Sequence, residues 1–144
     1  MINLKQCTFI IPIRIESEDR MRNVITVLCY LLENFDTKVI LKEVDTESVF
    51  EKEVLPQIKD YLGDAINNLT HVFEQSDDPV FYRMKIINEM LDMSDTPVIV
   101  NYDCDVLFKP ETYIKSVKMV EDGYDIVYPY GFGEYQKQVF VDDN

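Results

Sequence analysis

The feature that most limits the fold of this chain is a regular alternation between two hydrophobic periodicities. Residues 8–13 (TFIIPI) are a continuous β-rich run, suited to a strand buried on both faces. Residues 18–35 follow, with Met21, Val24, Ile25, Leu28, Leu31, Leu32 and Phe35 at helical spacing. Ser17 is placed to cap that helix, and Glu18 and Asp19 suit its positive end. The alternation continues with a strand at 38–44 (KVILKEV) and a helix over 47–62, broken near Pro56 and stopped at Gly63. A weaker strand at 70–75 (THVFEQ) precedes a helix over 80–93, and 97–102 (PVIVNY) is a clear fourth strand. Pro110 opens a last helix, Gly123 ends it, and 125–130 (DIVYPY) is the expected fifth strand. This β-α-β-α-β-α-β-α-β order predicts an α/β fold, a mostly parallel sheet with helices on both faces, in one domain over residues 1–144. In such a sheet ligands bind outside the carboxyl ends of the strands.

Charge narrows the function classes. With 27 acidic and 14 basic side chains the net charge is −13, which repels nucleic-acid backbones and anionic membranes. A polyanionic small molecule can still bind if a cation bridges the two. No stretch approaches the ~20 apolar residues of a membrane span, and the start, MINLKQCTFIIPIR, lacks the cleavage site of a signal peptide. Cys7, Cys29 and Cys104 are odd in number and form no C-x-x-C pair, which fits reduced thiols in a cytoplasmic protein. His71, the single histidine, falls at a strand start where a structural role is expected.

The strand ends carry the chemistry. The first ends in Pro12-Ile13-Arg14-Ile15-Glu16-Ser17, with Arg20 close behind; the others end in Glu43-Val44-Asp45, Glu74-Gln75-Ser76-Asp77-Asp78 and Asp103-Cys104-Asp105. Gathering carboxylates costs Coulomb repulsion, so a bound cation, or hydroxyl and amide donors on a ligand, is the expected reason for them. In extended chain Asp103 and Asp105 share a face, about 6–7 Å apart at Cα, a spacing that suits one hard divalent ion. The structural alternative is an Asx turn in which either aspartate caps backbone N–H groups. Arg14 could meet a phosphate or a base, or Arg14 and Arg20 could pair with Glu16, Glu18 and Asp19. Asp45 and Glu43 could accept from a ribose or base, or cap a turn. Arg83 could point at the site from the third helix, whereas Asn88 fits a solvated face equally well.

Three segments taken together, FIIPIRIESEDRMRNV, KVILKEVD and FYRMKIINEMLDMSDTPVIVNYDCDVLF, resemble the GT-A nucleotide-sugar glycosyltransferases, in particular bacterial family 2 and galactosyltransferase-like members. The strongest pieces are strand, Pro-x-Arg, helix at the front, and Arg-x4-Asn, apolar strand, Asp-x-Asp in the middle. The resemblance implies a three-layer Rossmann-like GT-A fold and transfer of a sugar from a nucleotide-diphosphate donor, usually a UDP-sugar, to a saccharide acceptor. It implies Mn²⁺ or Mg²⁺ on the diphosphate, held by Asp103 and Asp105 as the DxD motif, with Asp103 also facing the ribose. Pro12, Arg14 and Glu16 match the loop along the nucleoside, Asp45 the acidic residue that reads the base, and Arg83 a basic residue near the donor.

The sequence departs from that family in one respect. Inverting members carry their catalytic base and acceptor site after the DxD region, and none of Glu134, Asp142 or Asp143 matches that base. The likeness is therefore to the donor-binding half, with the acceptor half short or absent. The alternative function is a non-catalytic nucleotide-sugar binding module. A phosphotransferase with an Asp nucleophile would carry its Asp-x-Asp after the first strand, and the Gly-rich basic loop of sugar-nucleotide pyrophosphorylases is missing from Pro12–Ser17.

Overall fold

A computed structural model describes residues 1–130. They belong to two compact units, Met1–Leu107 and Phe108–Asn144. In the first, β1 (Ile2–Ile13) is the axis of a sheet. It pairs with β2 (Phe35–Asp45) on one side and β4 (Val98–Asn101) on the other, and β3 (Leu69–Gln75) lies beyond β2. All three pairings are parallel and the order is β3-β2-β1-β4. The chain is thus an α/β protein with an all-parallel sheet of four strands among the described residues, compatible with a Rossmann-like fold. The direction of travel along the sheet reverses between β1 and β4, and such a switch point opens a crevice at the carboxyl ends of the strands.

Residue parity along the strands decides which side chains face which layer. Ile10, Ile40 and Val44 share one face and pack with Ile86, Ile87 and Met90 of α3 (Arg83–Leu91). Lys42 lies on the same face, 4% exposed, with its ammonium between Glu89 of α3 and Glu74 of β3. The opposite face carries Val39, Leu41 and Glu43. Right-handed crossovers explain the division: β1→β2 and β2→β3 step one way and β3→β4 steps back, so α3 lands opposite α1 and α2.

α1 (Glu18–Asn34) begins as its sequence predicts, with Ser17 Oγ accepting from the Arg20 N–H at 3.2 Å. It ends without a loop, because Phe35 is both its C-cap and the first residue of β2. The helix expected over 47–62 forms as a π-helical turn, Phe50–Val54, followed by α2 (Leu55–Leu62). Pro56 explains the join: it has no N–H to donate back, and in the first turn of α2 none is needed. Immediately before it, the Leu55 N–H reaches Phe50 O, five residues back. Gly63 caps α2 with φ at 56°, a conformation that favours glycine.

In the second unit, α4 (Pro110–Glu121) starts at its proline and buries Tyr113 and Val117. The fifth strand expected over 125–130 is not formed; that segment has no ladder partner among the described residues. Ile126 and Tyr128 are 72% and 71% exposed, and Pro129 removes a donor from a run of six. β-branched and aromatic residues favour a strand only where a neighbouring strand and a face to bury are available. Glu134, Asp142 and Asp143 lie outside the described residues.

Met90 is fully buried between α3 and the sheet. Met90→Ala should therefore lower unfolding stability by about 2–5 kcal/mol, read from urea denaturation.

Candidate functional site

Pro12 ends the pairing of β1 with β4. On the β4 side, Ile10 O accepts from the Tyr102 N–H at 3.1 Å. The next β1 residue whose N–H would face β4 is Pro12, which has none, and the ladder stops. Freed from the sheet, the chain turns at Cys104–Asp105. Asp103 and Asp105 therefore leave β4 on a turn, not on the extended segment that their i, i+2 spacing suggests. Tyr102 anchors that turn. Its ring meets Phe9 edge-on at 5.5 Å, and its hydroxyl donates to the Val106 carbonyl.

Arg14, two residues beyond Pro12, is only 7% exposed. Its Nε donates to Val44 O at 2.8 Å and its Nη1 to Pro79 O at 3.0 Å, and its guanidinium carbon lies 5.5 Å from the Phe81 ring centre. Its Nη2 is buried without a hydrogen-bond partner among the described residues. Buried donors are nearly always satisfied, so an orphaned one calls for an explanation. The alternative surface pairing of Arg14 with Glu16, Glu18 or Asp19 is not what the structure shows; the guanidinium turns inward instead. Glu16 is exposed on the loop to α1.

Arg83 opens α3, and its Nη2 lies 2.6 Å from Asp103 Oδ1 and 3.4 Å from Asn101 Oδ1. Asp105 is exposed. The thiol of Cys104, between the two aspartates, is pushed up by burial and then by the Asp105 carboxylate; Arg20 pulls it down and Asp103 adds slightly to the rise. That balance brings Arg20, from the first turn of α1, within electrostatic reach of the turn after β4. Arg20, Arg83, Asp103 and Asp105 thus belong to one neighbourhood at the switch point.

The other carboxylates at the strand ends make hydrogen bonds within the fold. Asp45 Oδ1 accepts from the Thr46 N–H at 2.7 Å, and the Asp45 carbonyl from the Ser76 N–H. Asp77 accepts from Gln75, and Asp78 from the Val80 N–H. Asp78 also raises the Tyr82 phenol by accepting its hydrogen bond. These bonds shape the loop that presents Pro79 O to Arg14. Glu43 is fully buried: Oε1 accepts from Ser48 Oγ at 2.6 Å and lies 3.1 Å from His71 Nε2, and Oε2 accepts from the Phe50 N–H at 3.0 Å. The His71 ring lies tilted against Phe50, with ring centres 4.5 Å apart, in keeping with the structural role expected from its position in the sequence.

Among the described residues no group of three or more His, Cys, Asp or Glu side chains gathers in a way that could hold a metal ion. Asp103 and Asp105 still fit Mg²⁺ or Mn²⁺ by donor type, since such ions take one or two carboxylates and complete the shell with phosphate oxygens and water. Phe81, Pro79 and Tyr102 are the residues that sequence reasoning missed. The chain matches no protein-family model, and no curated protein is similar to it.

Burial alone would raise the Glu43 carboxyl, but the hydrogen bonds from His71, Ser48 and the Phe50 N–H outweigh it and hold it below 4.5, the ordinary glutamate value. A lowered native value means that the unfolded chain binds the proton more tightly. The stabilisation is therefore complete above about pH 4.5 and is lost as pH falls through the native value. Glu43→Gln should cost about 1–3 kcal/mol near neutrality. The gap to wild type in urea unfolding should narrow below pH 4.5; a pH-independent gap would contradict this account.

Proposed function

We propose that this chain binds a nucleotide-diphosphate sugar, represented by a UDP-sugar, at the carboxyl ends of β1 and β4, as the donor-binding part of a metal-dependent glycosyltransferase. The observation that carries the reading is the buried Arg14, just past the carboxyl end of β1, whose Nη2 has no hydrogen-bond partner among the described residues. A nucleotide supplies what that group lacks, an acceptor oxygen on a base or a phosphate. Arg20 and Arg83 add positive charge beside the crevice in a molecule whose net charge is −13.

The roles follow from placement. Asp105 and Asp103 would hold the divalent ion. When bound, that ion offsets the charge that develops on the departing diphosphate. Arg14 fixes the nucleoside end through a guanidinium already oriented by two carbonyls, so little freedom is lost when it donates to a ligand. Asp45, at the end of β2, would accept from the base; its Oδ1 is already oriented by Thr46. Pro12 acts indirectly, by ending the ladder with β4, and Glu16 lines the loop above it. The saccharide acceptor would approach from the open side of the crevice. The bridging cation is the electrostatic requirement of the scheme, because a diphosphate beside Asp103 and Asp105 is repelled until their charge is neutralised.

Calorimetry with UDP should give weak binding without metal and binding tighter by about tenfold or more, ~1.4 kcal/mol, with Mn²⁺ present. Equal affinities would count against the reading. Asp105→Ala should remove the metal dependence and leave unfolding unchanged, whereas loss of cooperative unfolding would assign Asp105 to the backbone of its turn. Arg14→Met should abolish UDP binding and also lower stability by about 1–3 kcal/mol, because Val44 O and Pro79 O lose their donors. Hydrolysis of a UDP-sugar with Mn²⁺ separates an enzyme from a binding module that only holds the nucleotide.

A further inference from the structure

The first turn of α3 contains no acidic residue; it presents Arg83 and Lys85 instead. A cation there opposes the helix dipole, so helix stability does not account for Arg83. Lys85 has a partner on its own helix, Glu89, at 3.9 Å. Arg83 turns to the end of β4, where its Nη2 serves Asp103 at 2.6 Å and Asn101 at 3.4 Å. Both members of the ion pair are substantially exposed, at 40% and 56% of their side chains. An exposed pair of this kind contributes little to stability and is readily exchanged.

We propose that Arg83 is a placeholder cation. It neutralises Asp103 while the crevice is empty and leaves for the diphosphate when a nucleotide arrives, which releases Asp103 to the divalent ion. The inference rests on the reading of the crevice as a nucleotide-diphosphate site. Its physical content is a competition: guanidinium and metal ion cannot both occupy the Asp103 carboxylate at full strength. The ion alone therefore meets a site whose first carboxylate is already paired, and the ion with diphosphate meets one that has been freed. By linkage, metal and nucleotide must then raise each other's affinity by the same factor.

The test is Mn²⁺ binding followed by electron paramagnetic resonance, with and without UDP, on the whole chain. Arg83→Gln should bind Mn²⁺ alone about 2- to 5-fold more tightly than wild type, the range open to an exposed ion pair. The same variant should bind UDP in the presence of Mn²⁺ more weakly. Opposite signs are the signature, since a merely structural role would weaken both. Arg83→Lys, which keeps the charge and loses the fork, should fall between the two, and this variant carries the test if Arg83→Gln does not fold. Lys85→Gln removes a charge from the same turn without touching Asp103 and should change Mn²⁺ binding less. Unchanged or weaker binding of Mn²⁺ alone by Arg83→Gln, or an equal gain in Lys85→Gln, would overturn the placeholder and leave the nucleotide site standing. Failure of wild type to bind UDP even with Mn²⁺ would overturn both.

Discussion

A guanidinium buried beneath the carboxyl end of a parallel sheet is the constraint around which this structure is arranged. Burying such a group without partners is prohibitive, so the chain must supply acceptors from several places. Arg14 finds them in the last turn of β2, at Val44 O, and in the loop before α3, at Pro79 O, with the Phe81 ring beneath it. One side chain therefore ties together β1, β2 and the segment leading into α3. The small hydrogen bonds of Asp77 and Asp78 acquire a purpose in this light: they fix the loop that delivers one of the two carbonyls.

The remaining charges obey the same economy of acidic groups. In a chain with 27 acidic side chains, most carboxylates at the strand ends are engaged in holding backbone or neutralising a neighbour. Glu43 secures the π-helical turn and His71, Glu74 and Glu89 neutralise the buried Lys42, and Asp45 shapes its own turn. What is left facing the switch point is a small mixed-charge group, Arg20, Arg83, Asp103 and Asp105. Its position follows from topology and from Pro12, since a ladder able to continue past Ile10 would have kept Asp103 in the sheet.

Much of the fold was legible in the sequence because it is written in periodicity. The four parallel strands and the helices between them coincide with runs whose burial pattern is set by packing, as in TFIIPI and VLCYLLENF. DIVYPY misled because its composition suits a strand while pairing depends on a neighbour that no local pattern encodes. The first residues of β1 were missed for the opposite reason. INLKQC mixes polar and apolar residues, and the structure accommodates it with a register shift between Asn3 and Thr8. The site was legible only in part. Residue type and strand ends located Arg14, Asp103 and Asp105, but whether a carboxylate faces a crevice or its own backbone depends on dihedral angles that sequence spacing does not fix. Glu43 and Asp45 are two residues apart with the same chemistry, yet one is buried against His71 and the other caps a surface turn.

The direct passage from α1 into β2 has a mechanical side. With no linker at that junction, the chain passes from helix to strand within one residue, Phe35, at φ −125° and ψ 137°. A helix of 17 residues is about 25 Å long, so a rotation of about 5° at its base would sweep the opposite tip through about 2 Å. Arg20 rides on that tip. The placement of that charge is thus coupled to the apolar face of α1, where Val24, Val27, Leu28, Leu31 and Leu32 are buried.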